Sequence, residues 1–574
     1  MEHTLAENRF AMKGVNAVLF AFLAFIVVFI AVNLDKGFEL SDESYYCMLS
    51  RYYEDTLLLN SLFGLINHKF TFGCTSLLSL RVFRLIYQCI ALLVFGITLG
   101  VFLRRKFNTS GQAATCAALF CCICGFSNYD YLPRALSYNN WSLIFGLLFW
   151  SCLMWDLLFS EKKALFVAIH LFIGFILFIL AYAKTPNGVL LAGLYFIYVV
   201  VFRRQRFLPA IAASLAGALA ALFFLFGSVG SFASKTQNLF DNLVSVKHAS
   251  FIWYIRDLTG FFGGTLGLTI ILLHAALFLM MYLLRKKSFP LLYGLVIIFI
   301  NSLYSFAVLK GNSAVITNQF VFGLLYAENV ALLCVLLYDK SRAFNEGGSV
   351  FLVSTLLPAP FILAFGTNNP IFYNVSHSLV FLVAGGLILL RILNSRFTEK
   401  FVAYYALLTG VCVVSFVYNG MYLSPYRESP LSAKKEPLAF AKGFENIKED
   451  AAEHAALNTL KEKLEKYNPA RQPVITDFSC LGALLLADMK PCIVTGLVDT
   501  EKDIHVNAYS LGRYDFKTTK PFLLISGKIK NSDRQYEVFS SNSIDFRTNY
   551  KLCDSVYNEQ NSDFIYLLRA ADIN

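Results

Sequence analysis

The chain has 574 residues, of which 57% are hydrophobic and only 15% charged, with 56 Phe, 30 Tyr and a mean hydropathy of +0.57. Soluble globular proteins carry about 25% charged residues, so this composition excludes one over most of the length and predicts a polytopic α-helical membrane protein. The net charge of +11 does not predict nucleic-acid binding, because much of it sits in short loops between apolar spans, where the positive-inside rule places it.

The first apolar run, Val15 to Val32, is interrupted only by Asn16 and has the length a helix needs to cross a bilayer's hydrocarbon. It resembles a signal peptide in outline, but it is long and no Ala-x-Ala-like site follows, so it is read as an uncleaved first span. After spans at roughly 14–33, 82–103, 112–126, 140–159, 164–182, 187–202 and 207–227, six more are expected near 261–284, 290–308, 318–338, 349–366, 376–393 and 400–423. That makes about thirteen. The clusters Arg104–Lys106, Glu161–Lys163, Arg203–Arg206, Arg285–Lys287, Asp339–Arg342 and 394–400 fall on one side, with the N-terminus, which makes that side cytoplasmic. The opposite side takes the long loop 34–80, the segment 127–139, the junction at Lys184, the loops 228–260, 310–317 and 366–376, and the C-terminal end.

Beyond Tyr422 the turn-rich stretch Ser424–Pro430 opens about 150 mostly polar residues. The expected organisation is a membrane domain over 1–423, including the external loop 34–80, and a soluble extracytoplasmic α/β domain over 424–574. In the latter, Pro437 to Tyr467 has helical character, and 473–476, 492–495, 521–526 and 564–568 have the composition of strands. Most of the thirteen Cys fall inside apolar spans, where a thiol is a small apolar filler. Cys47 with Cys74, or two among Cys480, Cys492 and Cys553, are the pairs open to a disulfide if their loops face an oxidising space. No metal-ligand spacing occurs.

Asp42 and Glu43 emerge at the membrane surface just past the first span. A carboxylate there can act as general base toward a hydroxyl attacking an activated group, and its neighbour can hold the nucleophile or share the proton; the bland alternative is a pair of solvated loop acids. Lys184, at the outer end of one span and beside the start of the next helix, suits a lipid phosphate, or else it is a snorkelling anchor. Arg81, Arg84, Arg134, Arg256 and Lys310 are further external cations able to hold a phosphate or to anchor at headgroups. Glu328 falls in mid-span, where an ionisable group is costly unless paired. His170 and His274 suit hydrogen-bonded packing, and the loop 366–370 with Asn374 could contact a sugar.

The first span followed by Asp42-Glu43-Ser44-Tyr45-Tyr46, Arg51, a re-entrant-looking loop and a second span opening with Arg81 and Arg84 resembles the GT-C superfamily of membrane glycosyltransferases. Within it the likeness is to the protein O-mannosyltransferase and lipid A aminoarabinose transferase group, which have an Asp-Glu pair in the first external loop, about a dozen or more spans and, in the aminoarabinose branch, a C-terminal periplasmic domain. The resemblance implies that Asp42 is the catalytic acid, acting as general base, with Glu43 its acidic neighbour. It implies substrate contacts at Tyr45, Tyr46, Tyr138 and Asn139, and donor-phosphate binding at Lys184 with Arg81, Arg84, Arg134 and Arg256. Tyr45 stands where the aminoarabinose enzymes have a phosphate-binding Arg. Near Tyr138 or Asn139, where relatives often have an Asp, this chain has none, and Asp130 is a distant substitute; a metal or other cofactor is therefore not expected. The implied activity is transfer of a sugar from a polyprenyl-phosphate carrier to a lipid, glycan or protein acceptor at the non-cytoplasmic face. The expected location is the periplasmic side of a bacterial inner membrane, with the endoplasmic reticulum as alternative. A lipid flippase or transporter, or a glycan polymerase or ligase using a lipid-pyrophosphate donor, are the competing readings.

Overall fold

In a computed structural model the chain is described over residues 2–54, 62–129, 133–245, Arg256, 347–366, 374–393, 398–425 and most of 428–571. Apolar helices form where the hydropathy places them: α1 (Glu2–Ala31), then, past two short helices of the external loop, α2 (Asp42–Arg51) and α3 (Phe63–Phe70), come α4 (Leu77–Phe107), α5 (Gly111–Cys124), α6 (Tyr138–Phe159), α7 (Lys163–Ala183), α8 (Thr185–Phe202) and α9 (Phe207–Phe226). After α10 (Val229–Ser245) the described chain resumes with α11 (Gly347–Leu356), α12 (Ala359–Ala364), α13 (Leu379–Leu393) and α14 (Thr398–Val417), the last running into a wider π-helical stretch, Tyr418–Leu423. Among the described residues eight helical segments are long and apolar enough to cross a bilayer, and two more, Ser376–Ile392 and Thr409–Leu423, are shorter. The protein is a polytopic membrane protein. The spans expected at 261–284, 290–308 and 318–338, with Glu328, His274 and Lys310, lie outside the described residues. The span expected over 349–366 is interrupted at Leu357–Pro358, because proline cannot continue a helix without losing a hydrogen bond.

The loops sort into two ends, as the charge pattern groups them. At one end Asn16 bonds Gln112, Arg203 bonds Asp156, and Arg206 bonds the Ser160 carbonyl. At the other lie residues 34–41, 127–129, 133–137, Lys184 and 374–378. The helix junction at that end is tight for a stated reason: Gly188 lets α8 fold back on α7, since a Cβ there would lie 2.4 Å from the Ala181 Cα. Gly174 and Gly217 let α7 and α9 touch along their backbones, each having a carbonyl oxygen 1.8 Å from where a Cβ would be.

The C-terminal region is α/β. Its four-stranded sheet has the order β3 (Val474–Thr476), β4 (Phe522–Ser526), β6 (Asp563–Ala570), β5 (Tyr550–Asn558), with β3 and β4 parallel and the other pairs antiparallel. The strand expected at 492–495 lies partly outside the described residues, and on either side Pro491 and Leu497 form isolated bridges to Val474 and Asp477. One expectation fails here. The helix read from Pro437 forms as α15 only over Ala451–Tyr467, because Asp450 caps it by accepting from the Glu453 N–H at 3.0 Å. Residues before the cap make turns and a two-residue antiparallel pair, β1 (Glu436–Pro437) with β2 (Lys448–Glu449). Of the pairs left open to a disulfide none is joined: Cys47, Cys74, Cys480, Cys492 and Cys553 are all free thiols, and Cys47 is buried with its Sγ 3.1 Å from the Thr75 carbonyl.

This region is stitched to the first external loop through its backbone. Gly37 donates to the Lys448 carbonyl at 2.7 Å, Lys448 donates to the Asp35 carbonyl at 2.7 Å, and Gly482 donates to the Leu40 carbonyl at 2.9 Å. Side chains reinforce the seam. Glu449 accepts from the Phe38 N–H and from Lys434 Nζ at 2.5 Å; Lys434 also lies 3.0 Å from Glu428, and Glu428 accepts from Arg134 at 2.6 Å. Gly37, at φ +79°, has no room for a Cβ between Glu428 and Arg134.

Burial, helped by Glu449, pushes the Glu453 carboxyl up to about 8, and burial, helped by Glu428, raises Glu449 as well. Acids that ionise less readily folded than unfolded lose stability as pH climbs from the unfolded value through the folded one. Glu428 and Asp450 are shifted down and Lys434 up, so their contributions are lost only in acid or in strong alkali. Between about pH 4.5 and pH 8 Glu449 and Glu453 therefore dominate the seam, and resistance of the full-length protein to denaturant is expected to fall across that window. Glu453→Gln should flatten the dependence; a seam equally stable at both pH values, measured by denaturation midpoints, contradicts this.

Candidate functional site

The first carboxylates beyond the membrane are sorted by the start of α2. The Glu39 side chain accepts from the N–H groups of Ser41 at 3.0 Å and Glu43 at 2.9 Å, and its carbonyl accepts from the Ser44 hydroxyl at 2.7 Å, which fixes where the helix begins. Adjacent residues on a helix point about 100° apart, so Asp42 and Glu43 face different surroundings. Glu43 is fully buried and is gripped by Arg81, whose Nε–H reaches Oε1 at 3.2 Å and whose Nη2 reaches Oε2; the Ala135 N–H adds a third bond at 2.8 Å. Asp42, half-buried, opens α2 on the face that carries Tyr45 one turn later.

The cations named from the sequence part company. Arg81 donates its remaining N–H groups to the carbonyls of Leu34, Lys36 and Gly37 at 2.8, 3.0 and 2.8 Å, so all five are used. Arg84 donates to the carbonyls of Pro133 and Asn128 and lies 4.0 Å from the Tyr129 ring centroid. Arg134 is held by Glu428 and the Lys36 carbonyl. These three arginines and Glu43 tie the first loop, α4 and the segment 133–137 together, and in this arrangement the guanidinium N–H groups go to backbone carbonyls and to the carboxylates of Glu43 and Glu428. Arg256 is exposed, and its immediate neighbours lie outside the described residues.

Lys184 differs. It is 3% exposed, and its Nζ donates to Asn139 Oδ1 at 3.1 Å and to the Leu363 carbonyl at 2.6 Å while lying 5.6 Å from the Tyr138 ring centroid. Its partners are neutral, and burial pushes the ammonium down to about 7. An arriving anion reverses that shift. Next to it a small cavity of about 20 Å³ is lined by Asn128, Asn139, Leu363, Asn374, His377 and Ser378, among others.

Between Lys184 and Asp42 runs a wall of rings. Tyr138 lies 6.1 Å from Tyr46 and 5.6 Å from Phe63, and Tyr45 lies 5.6 Å from Tyr46 and 6.1 Å from Phe63. Burial, the Tyr138 hydroxyl and Asp42 all hold the Tyr45 phenol above its ordinary range. A chain of ring contacts thus links Tyr45, Tyr46, Phe63 and Tyr138, with Asp42 close enough to Tyr45 to act on its phenol and with Asn139 and Lys184 beside Tyr138. Beneath it Asn67 of α3 donates to Ser50 Oγ and the Leu136 carbonyl and accepts from the Trp141 indole at 2.6 Å, locking α2, α3 and α6. Ser137 and Asn140 form a capping box at the start of α6 and set the directions of Tyr138 and Asn139.

Sequence reasoning missed Glu39, Asn67, Phe478 and Gly482. The Phe478 ring lies tilted against Tyr45 at 5.3 Å between centroids, and a Cβ on Gly482 would sit 2.7 Å from Ser44 Oγ, so the C-terminal region packs directly on α2. Only Glu39, two residues before the N-cap, carried a signal that could have been read. His170 has the packing role expected of it: fully buried, it bonds the Tyr195 hydroxyl at 2.7 Å through Nδ1 and lies 3.6 Å from Asp156.

Neither a family model nor a curated protein matches the chain. Among solved structures it is similar to ArnT from Cupriavidus metallidurans bound to undecaprenyl phosphate, at 11% identity over 97% of this chain and 98% of that one, with a TM-score of 0.44. It is also similar to the archaeal oligosaccharyltransferase AglB from Archaeoglobus fulgidus in complex with an inhibitory peptide and a dolichol-phosphate, at 13% identity over 97% of this chain and 75% of that one, with a TM-score of 0.40. Likeness at these values carries no argument about chemistry, which has to come from the residues of this chain.

Removing the Glu43 carboxylate strands the Arg81 charge in a dry site. Breaking a buried pair from one side costs about 3–5 kcal/mol, whereas replacing both partners by apolar groups is often near neutral. Glu43→Ala is expected to lower the denaturation midpoint sharply, and Glu43→Leu combined with Arg81→Met to recover only part of the loss, because the loop carbonyls served by Arg81 then lose their donor. Equal stability of Glu43→Ala and the parent in detergent would show the pair to be dispensable.

Proposed function

We propose that this protein is a membrane glycosyltransferase, moving a sugar from a polyprenyl-phosphate donor to a lipid, glycan or protein acceptor at the face that carries residues 424–574. The reading treats 1–423 as the catalytic membrane domain and 424–574 as a domain closing over it, on the periplasmic side of a bacterial inner membrane. One observation carries it: a half-buried acid, Asp42, and a buried ammonium with neutral partners, Lys184, lie at the two ends of one chain of aromatic contacts through Tyr45, Tyr46, Phe63 and Tyr138. Acyl or phosphoryl transfer needs no such ring surface, whereas a sugar ring presents C–H faces that stack on aromatics and hydroxyls that bond to phenols and amides such as Asn139.

In this proposal Lys184 takes the donor phosphate, and the lipid tail leaves between spans. Asp42 accepts the proton from the acceptor as its nucleophilic atom bonds to the anomeric carbon. The bond from that carbon to the phosphate oxygen breaks, and the electron pair leaves on the lipid phosphate, whose charge Lys184 balances. The Glu43–Arg81 pair keeps α2 in place and leaves Asp42 as the acid at the surface.

General-base removal typically costs about 10²–10⁴-fold. Asp42→Asn is therefore expected to lower kcat by that order in membranes given a panel of polyprenyl-phosphate sugars, with its thermal stability kept. Lys184→Met should raise KM for the lipid donor more than it lowers kcat. Equal turnover by Asp42→Asn removes the proposed base, and lipid-linked cargo crossing the membrane without any transfer replaces the reading by a flippase.

A further inference from the structure

The small cavity beside Lys184 is bordered by a polar group that the described chain leaves unsatisfied. Two of its walls, Asn139 and Leu363, are the residues that take the Lys184 protons, at 3.1 and 2.6 Å. Whatever fills it therefore lies close to the group to which the donor phosphate is assigned. Its other polar walls are Asn128, Asn374, His377 and Ser378, all buried. Asn374, which the sequence marks as a candidate sugar contact, is thus part of it.

The hydrogen bonds of these walls are spent unequally. The Asn128 side chain accepts from Gln88 at 2.9 Å and donates to it at 3.2 Å, and the Asn128 carbonyl accepts from Arg84 at 3.1 Å. Asn139 Oδ1 is taken by Lys184. His377 is 5% exposed, yet its Nδ1 has no hydrogen-bond partner among the described residues. A buried ring nitrogen left without a partner is costly, and a native site normally supplies one.

Size and charge narrow the partner. The volume of about 20 Å³ holds one water or one hydroxyl group, for which roughly 10–15 Å³ suffices, and it is too small for a phosphate or a carboxylate. An ammonium would lie beside Lys184 with no acid to meet it, since no carboxylate is among the described lining residues. A hydroxyl suits both limits: it donates and accepts, and so satisfies either tautomer of His377. We propose that this cavity takes one neutral hydroxyl of the donor sugar, with His377 as the specificity-determining residue. The proposal rests on the reading of Lys184 as the holder of the donor phosphate, because a sugar bonded to that phosphate carries hydroxyls within a few bonds of it. It narrows the donor to sugars with a free hydroxyl at that point, against their deoxy and amino analogues.

The test is competition between undecaprenyl-phosphate-linked donors in membranes that hold the full-length protein. Glucose, mannose, galactose and N-acetylglucosamine donors identify a transferred sugar, which then competes with its own deoxy counterparts, one hydroxyl removed at a time. One deoxy donor is expected to fall about 10⁴-fold in kcat/KM, as at sites built to bond a substrate hydroxyl. His377→Leu should shrink that ratio about 100-fold, and His377→Asn, which returns an amide near the Nδ1 position, should restore most of it. Equal transfer of every deoxy donor by the parent overturns the proposal and leaves an ordered water as the occupant. A discrimination that survives unchanged in His377→Leu overturns it as well. If that variant fails to fold, Ser378→Ala, which removes another polar group from the same cavity, is read the same way. Failure of the parent to transfer any sugar is a separate outcome, which overturns the proposed sugar transfer and this inference with it.

Discussion

The buried pair between Glu43 and Arg81 is the interaction on which the arrangement of the outer surface depends. Arg81 sits in the first turn of α4 and spends five N–H groups on one carboxylate and three carbonyls of the loop that leaves α1. A guanidinium can do this because its donors are fixed in a planar fork, which a lysine lacks. The pair therefore anchors the chain just as it leaves the membrane and sets the rotation of α2. With Glu43 turned inward, Tyr45 on another face of α2 meets Phe63 and Phe478.

The same logic recurs at the seam. Arg134 joins the membrane part to the linker through Glu428, Lys434 bridges Glu428 and Glu449 within the C-terminal region, and the backbone of Lys448 pairs with Asp35 and Gly37. One apolar cluster runs from α1 through α2 to Leu464, Leu481 and Leu567, while a second, around Ile475, Leu523 and Phe539, belongs to the C-terminal region alone. The C-terminal region is thus packed onto the loop that carries Asp42 as well as tethered to the last helix. Phe478 and Gly482 touch α2 directly, so the position of the acid and the docking of residues 424–574 are coupled.

Charged groups at the two ends of the helices do different work. At the end holding the basic loops, Arg203 pairs with Asp156, which also accepts from the Tyr198 hydroxyl at 2.6 Å; a buried acid in a span is stable because it is both paired and hydrogen-bonded. At the other end most cations are consumed by carbonyls and carboxylates, and Lys184 is the described external lysine held by neutral groups within the membrane part. That difference separates a group that holds the fold from one that can meet an incoming anion.

The sequence by itself determined the membrane class, the described spans to within a few residues, the two-ended sorting of the loops and the α/β character of the tail, because hydropathy and the placement of Lys and Arg act locally and need no partner. It also sufficed to single out Asp42, Lys184 and the tyrosines, whose residue types at span ends are unusual. What only the tertiary structure decided was which charges remain available. Asp42 and Glu43 are neighbours in the chain and indistinguishable there, as are Arg81, Arg84 and Arg134 as external cations; their roles split because α2 turns one acid toward Arg81 and the other toward Tyr45, and because carbonyls some 45 residues distant in sequence capture the Arg81 protons. Burial and pairing are set by contacts between distant segments, and no local pattern encodes them.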